Sequence, residues 1–129
     1  MTEASADKLA ETIDKIEASY EFMLAYAAQG RENDDPTSQI RQFLEGMYTA
    51  LDGLAEVGKQ AATHKNVLGS EAFLELIASD GKKTRAALAL VIAQDNVSSQ
   101  LIDNLNASIH VRALLTDLFL IDEILKQSP

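Results

Sequence analysis

LIDNLNASIHVRALLTDLFLIDEIL, residues Leu101 to Leu125, decides the fold. It contains neither Pro nor Gly and is the most apolar segment of the chain, so it reads as a helix at the centre of a helical bundle. At ~100° per residue, Leu101, Ile102, Leu105 and Ile109 form one apolar stripe. Val111, Leu114, Leu118, Ile121 and Leu125 form a second, roughly 150–180° around from the first. Leu115, Phe119, Leu120 and Ile124 fill much of the space between them. A helix apolar on all sides belongs in the middle of a core, and one four-helix bundle of this size does not readily cover both stripes. A second copy of the chain is the simplest cover. A kink, or a fifth short helix, is the other. Asp103, His110 and Asp117 recur every seventh residue, about 10 Å apart at ~1.5 Å per residue, and are expected along the solvent edge. Arg112 is expected at a bundle or subunit seam, paired with Glu45 or Asp52, or else snorkelling to water.

The rest of the chain supplies partners for this helix. Leu9, Ile13, Ile16, Tyr20, Met23 and Ala27 step by four and three residues, a narrow heptad-like seam. This first helix is predicted over 5–29, with Ser5 as its cap and Gly30 as its stop. Asp35 is then expected to cap a second helix over 36–64, with Pro36 in the first turn, where the missing N–H costs nothing. Its buried face is Ile40, Phe43, Leu44, Met47, Leu51, Leu54 and Val57, and Gly46, Ala50 and Gly53 offer a small-residue edge. His64 and Lys65 place positive charge at its C-terminal end. Leu68-Gly69 turns the chain into a third helix over 70–95, whose large apolar residues lapse between Ile77 and Leu88. That lapse favours a break near Asp80-Gly81. Asn96 or Ser98 starts the final helix over 98–126. No stretch alternates with period two. The expectation is one domain, 1–129: all-α, an antiparallel up-down four-helix bundle, or five helices if the third one breaks.

Composition bounds the function. Cysteine is absent, which removes disulfides, zinc thiolates and thiol catalysis. The opening MTEASADKLAET is acidic and has no apolar run, unlike a secretory leader, and no segment approaches the apolar length of a membrane span. A cytoplasmic location is expected. The formal net charge is −9, opposite to what phosphate backbones or anionic membranes attract, so neither nucleic acid nor membrane is an expected partner. Neither His64 nor His110 has a Glu three residues before it, so the carboxylate-histidine pairs of di-iron bundles are missing. Gly81-Lys82-Lys83-Thr84 resembles the end of a phosphate loop, but the Gly required five positions earlier is Leu76. Lys82, Lys83 and Arg85 remain as a dense basic cluster. It either balances nearby acid or holds an anion at the start of a helical segment. No catalytic, metal-ligating or cofactor-binding residue is assigned, and no cofactor is expected.

One charge pattern stands out. Glu3, Asp7, Asp14, Glu17 and Glu21 fall within about 80° of one another on the first helix. Residues 1–35 hold nine acids and three bases, so −6 of the net −9 lies there. Like charges at i,i+4, such as Glu17 and Glu21, each cost a few tenths of a kcal/mol. A docking strip for a basic partner would account for them, as would a merely solvated face. The chain therefore reads as a non-enzymatic protein-interaction module: a homodimeric adaptor or regulator that binds another protein, for which the acidic strip suits a basic one. Its dimer interface is expected at Phe22, Tyr26, Leu115, Phe119, Leu120 and Ile124. An acidic inhibitor or immunity-type protein that masks a basic partner is the alternative, and a small helical ligand carrier or enzyme is the second.

Overall fold

In the computed structural model the described residues are 3–127, with side chains described from Asp7 onward, and they fold into six helices. These are α1 (Glu3–Ala27), α2 (Ile40–Leu51), α3 (Leu54–His64), α4 (Ser70–Ile92), α5 (Ser99–Asn106) and α6 (Ile109–Gln127). About 78% of the residues are helical, without strands among those described. None of the helices is long and apolar enough to cross a membrane. α1 begins at Glu3, two residues before the Ser5 expected to cap it; the side chains of Glu3 and Ser5 lie outside the described residues.

Neighbouring helices run antiparallel. α1 packs along α2 and α3 on one side and along α5 and the far part of α6 on the other, while α4 closes the bundle against α2, α3 and α6. The heptad-like seam of α1 supplies buried Leu9, Ile13, Ile16 and Met23. The buried residues of all six helices form one cluster.

The expected second helix is two helices, and it starts later than Pro36. Asp35 does not cap it. The Asp35 carboxylate accepts from the Thr37 N–H, and the Ser38 N–H bonds back to the Asp35 carbonyl, which makes residues 35–38 a turn. α2 begins only at Ile40 and ends where Asp52 becomes extended and Gly53 turns left-handed at φ 78°. Gly reaches that conformation without a Cβ clash. The buried residues Ile40, Leu44, Met47, Leu51, Leu54, Gly58 and Ala61 keep their four-three spacing straight across the break, so the apolar pattern carries no trace of it.

α4, by contrast, runs unbroken through Asp80-Gly81. Its buried residues are Ile77, Gly81, Thr84, Leu88 and Val91, a regular stripe in which two members are small or polar. The Thr84 hydroxyl bridges the carbonyls of Asp80, at 2.8 Å, and His110 on α6, at 3.0 Å. The lapse in large apolar residues is therefore a packed seam and not a bend. The basic cluster consequently sits in the middle of α4 and not at its start. Arg85 lies over the Tyr48 ring at 4.1 Å, beside Asp52 at 4.0 Å, and Lys82 and Lys83 are exposed.

The final helix is also two. The Ser108 N–H closes α5 on the Leu105 carbonyl, and Ser108 then caps α6, its carbonyl accepting from the Arg112 N–H and its hydroxyl from the His110 N–H. The break turns most of both apolar stripes inward: α5 buries Ile102 and Leu105, and α6 buries Val111, Leu114, Leu118, Ile121 and Leu125, while Ile109 at the break stays 73% exposed. One chain covers most of what a straight helix would have left bare. Asp103 and His110 face solvent, but Asp117 swings into the α4 seam and is 8% exposed. Arg112 is exposed and makes no ion pair among the described residues; Asp52, one of its expected partners, pairs with Arg85 on α4.

Two loops at one end of the bundle are stitched together by polar contacts. The Arg41 guanidinium donates to Asp34 and to the carbonyls of Ile92, Gln94 and Asp95. Asp34 also accepts from the Val97 N–H at 2.6 Å. The Tyr26 hydroxyl donates to the Val97 carbonyl at 2.6 Å, and the Ser99 hydroxyl to the Tyr26 carbonyl at 2.7 Å. Ser98 accepts from the Leu101 N–H and so caps α5.

Candidate protein-interaction face

The acidic strip of α1 lies along the seam with α6. Asp7, Asp14 and Glu21 are exposed and Glu17 is half-buried; the side chain of Glu3 is outside the described residues. Burial raises the Glu17 pKa, and Asp14 on its own helix and Asp122 on α6 raise it further. Lys126 opposes them, but its ammonium is also held by Asp122 at 2.9 Å. The seam thus collects Asp14, Glu17, Glu21 and Asp122 around a single lysine.

Apolar surface accompanies the acid. Leu24 follows Glu17 by seven residues and so shares its line on α1; it is 46% exposed. Phe119 precedes Asp122 by one turn on the antiparallel α6 and is 54% exposed. Phe119 thus shares the Asp122 flank of α6, while Leu24 lies farther along α1, where Asn106 at the end of α5 donates to the Met23 carbonyl. Leu120, 51% exposed, sits on the other flank of the outer face of α6.

The six residues expected at a dimer interface are not together. Tyr26 and Leu115 lie in the core, at 1% and 5% exposure, because the α5–α6 break closes the bundle over them. Phe22 is half-buried and stacks on Phe43 of α2, centroids 4.0 Å apart and rings 8° from parallel. Ile124 is half-buried, which leaves Phe119 and Leu120 as the exposed members. Sequence reading missed Leu24 and Asp122. Leu24 was detectable from its spacing to Glu17, whereas Asp122 depends on how α6 is turned.

A concavity of about 660 Å³ runs between α1 and the α2–α3 pair. Ala18, Gly46 and Ala50 line it, with Lys8 and Lys15 on one rim and Glu45 and Asp52 on the other. A Cβ added at Gly46 would meet nothing within 4 Å, so the small-residue edge of α2 is open and does not admit another helix of this chain. Among the described residues, no group of three or more carboxylate or imidazole side chains is placed to hold a metal ion. The chain matches no known protein family, no curated protein and no solved structure.

Proposed function

We propose that this chain is a non-enzymatic, cytoplasmic protein-interaction module, an adaptor or regulator whose α1–α6 seam receives a basic amphipathic segment of another protein. The observation that carries this reading is the approach of Asp122 on α6 to the acids of α1, with Leu24 exposed on α1 and Phe119 exposed on α6. An apolar anchor with a charged rim is the pattern of a helix-docking surface. A basic segment would relieve the repulsion stored around Glu17 and cover both apolar side chains. An inhibitor that masks a basic enzyme would use the same face.

Homodimerisation is the second reading, favoured by the exposure of Phe119 and Leu120. A two-fold contact repeats the same patch on both partners. Centred on the seam, it would set acid against acid, and like charges ~4 Å apart cost up to about 4 kcal/mol at an effective dielectric of ~20. A self-contact centred on Leu120 avoids that cost.

Binding of a synthetic Lys/Leu amphipathic helix, followed by fluorescence anisotropy, tests the first reading. The expected result is affinity that falls with salt and drops at least about tenfold, or ~1.4 kcal/mol, in the Glu17→Lys/Glu21→Lys variant but not in Lys82→Glu. Affinity indifferent to that double reversal overturns it. Light scattering on the 14.0 kDa chain reads the dimer, which Leu120→Lys is expected to abolish.

A further inference from the structure

The α4–α6 seam contains a charge arrangement that a purely structural core would avoid. Asp117 is one of six buried polar or charged residues among those described, and its Oδ2 has no hydrogen-bond partner. Its carboxyl meets the carboxyl of Asp80, across from it on α4. One helical turn beyond Asp80, the Thr84 hydroxyl ties the same two helices together through the carbonyls of Asp80 and His110. Two carboxyl groups in contact cannot both ionise cheaply, and such a pair holds one proton between them.

We propose that Asp80 and Asp117 form a proton-dependent latch that holds α6 against α4 when the pair is protonated and loosens it when the proton leaves. With the proton present, one carboxyl donates to the other and the seam is satisfied. Once the proton is released to solvent, two carboxylates face each other and Asp117 carries charge where no donor reaches its Oδ2. Asp80 is the charged group that acts on Asp117. Lys82 and Lys83 on α4 and His110 on α6 are exposed, and among the described residues no charged group of α1 or α5 contributes. Burial first, and Asp80 second, push the Asp117 pKa up to about 7.

The direction of the pH effect follows. A carboxyl whose pKa is higher folded than open makes the closed state bind more protons. The latch is then fully closed in acid, weakens as pH rises from the ordinary carboxyl range, and reaches its loosest state just above the folded value. This sense is opposite to that of a salt-bridged carboxylate.

Hydrogen exchange of the α6 amides from Val111 to Leu118, corrected for intrinsic rates and compared with the α1 amides, reads the latch. In the wild-type chain the α6 opening constant is expected to rise by up to roughly tenfold per pH unit between about pH 5 and 7, and to level off above, as one linked proton requires. Asp117→Asn, whose amide can donate permanently to Asp80, should abolish the rise and keep the low-pH protection at pH 8. Asp80→Asn should abolish it as well, which keeps the test sound if one variant folds poorly. Carbon-13 titration of the Asp117 carboxyl supplies an independent reading. A midpoint below about 5, close to the ordinary Asp value, or a pH dependence that survives in both variants, overturns the latch. So does protection at pH 8 that appears only with added Ca²⁺ or Mg²⁺, which would make the pair a cation site.

Discussion

Arg41→Met is expected to loosen the end of the bundle where the loops over residues 30–39 and 93–98 meet. The Arg41 Nη1 donates to the Ile92 carbonyl at 2.8 Å, Nη2 to those of Gln94 and Asp95 at 2.7 and 3.2 Å, and Nε to Asp34 at 2.9 Å. The last carbonyls of a helix lack partners within it, so the guanidinium both closes α4 and ties it to Asp34. Hydrogen bonds to charged groups contribute about 1.5–3 kcal/mol each when well buried. The Arg41 side chain is 34% exposed and that of Asp34 is 10% exposed, so solvent screening reduces their sum well below the additive figure. An overall cost of about 2–4 kcal/mol results, part of it from leaving Asp34 without its partner. Arg41→Lys should recover less than half, because an ammonium cannot span a carboxylate and three carbonyls. Urea unfolding followed by circular dichroism measures both. Burial works against ionisation of Asp34, but the Val97 N–H and then Arg41 outweigh it and hold its pKa below the usual carboxylate value. The stabilisation is therefore present above the unfolded pKa and lost as pH falls through the folded one. Arg41→Met should flatten that acid limb. A cost below about 0.5 kcal/mol, the level of an ordinary surface change, or a Lys variant equal to wild type, would show that the loop junction is solvated and holds nothing together.

Leu118→Ala should cost about 2–5 kcal/mol in the same unfolding experiment, since a fully buried side chain is truncated; under ~1 kcal/mol would remove α6 from the core. Gly53→Ala and Gly81→Ala should have opposite signs by calorimetry. The first puts a Cβ at φ 78° and loses about 1 kcal/mol. The second gains about 1 kcal/mol, because an added Cβ meets nothing in mid-helix. Ser108→Ala should lose about 1 kcal/mol with the α6 cap, and unchanged stability would mean that the α5–α6 break is held by packing alone.

Much of the fold was legible because apolar spacing survives any local interruption. The seam of α1 and the buried faces of α2, α3 and α6 appear largely at the residues their periodicity indicates, with Tyr20, Ala27, Phe43 and Val57 half-buried at the edge of the core. For the same reason the breaks were misplaced. The stripe from Ile40 to Ala61 stays in phase across Asp52-Gly53, so a window over apolar residues sees one helix where the backbone makes two. Along α4 the error is reversed: Gly81 and Thr84 are stripe members that a count of large side chains skips. The acidic strip was readable from α1 alone, but what lies beside it was not.

What lies beside a charge depends on how the neighbouring helix is rotated, and for α6 two residues control that rotation. A straight helix from Ser99 to Gln127 would keep Asp117 on a line with Asp103 and His110. The turn at Ala107-Ser108 removes the offset of roughly 150–180° between the two apolar stripes and brings both, apart from Ile109, to one core. The same rotation carries Asp117 to Asp80 and sets Asp122 against Glu17. Both like-charge encounters between helices thus follow from the geometry that closes the core within one chain. They lie on opposite flanks of α6, one buried and one half-exposed. A partner that covers the Glu17 seam therefore need not touch the Asp80–Asp117 pair. If the latch loosens α6 as pH rises, however, the Asp122 and Phe119 side of the docking face moves with it. Affinity for a basic helix should then fall between about pH 5 and 7 in the wild-type chain and stay level in Asp117→Asn, since removal of the linked proton removes the coupling. Equal pH profiles for the two proteins would separate the seam from the latch and leave each to stand on its own test.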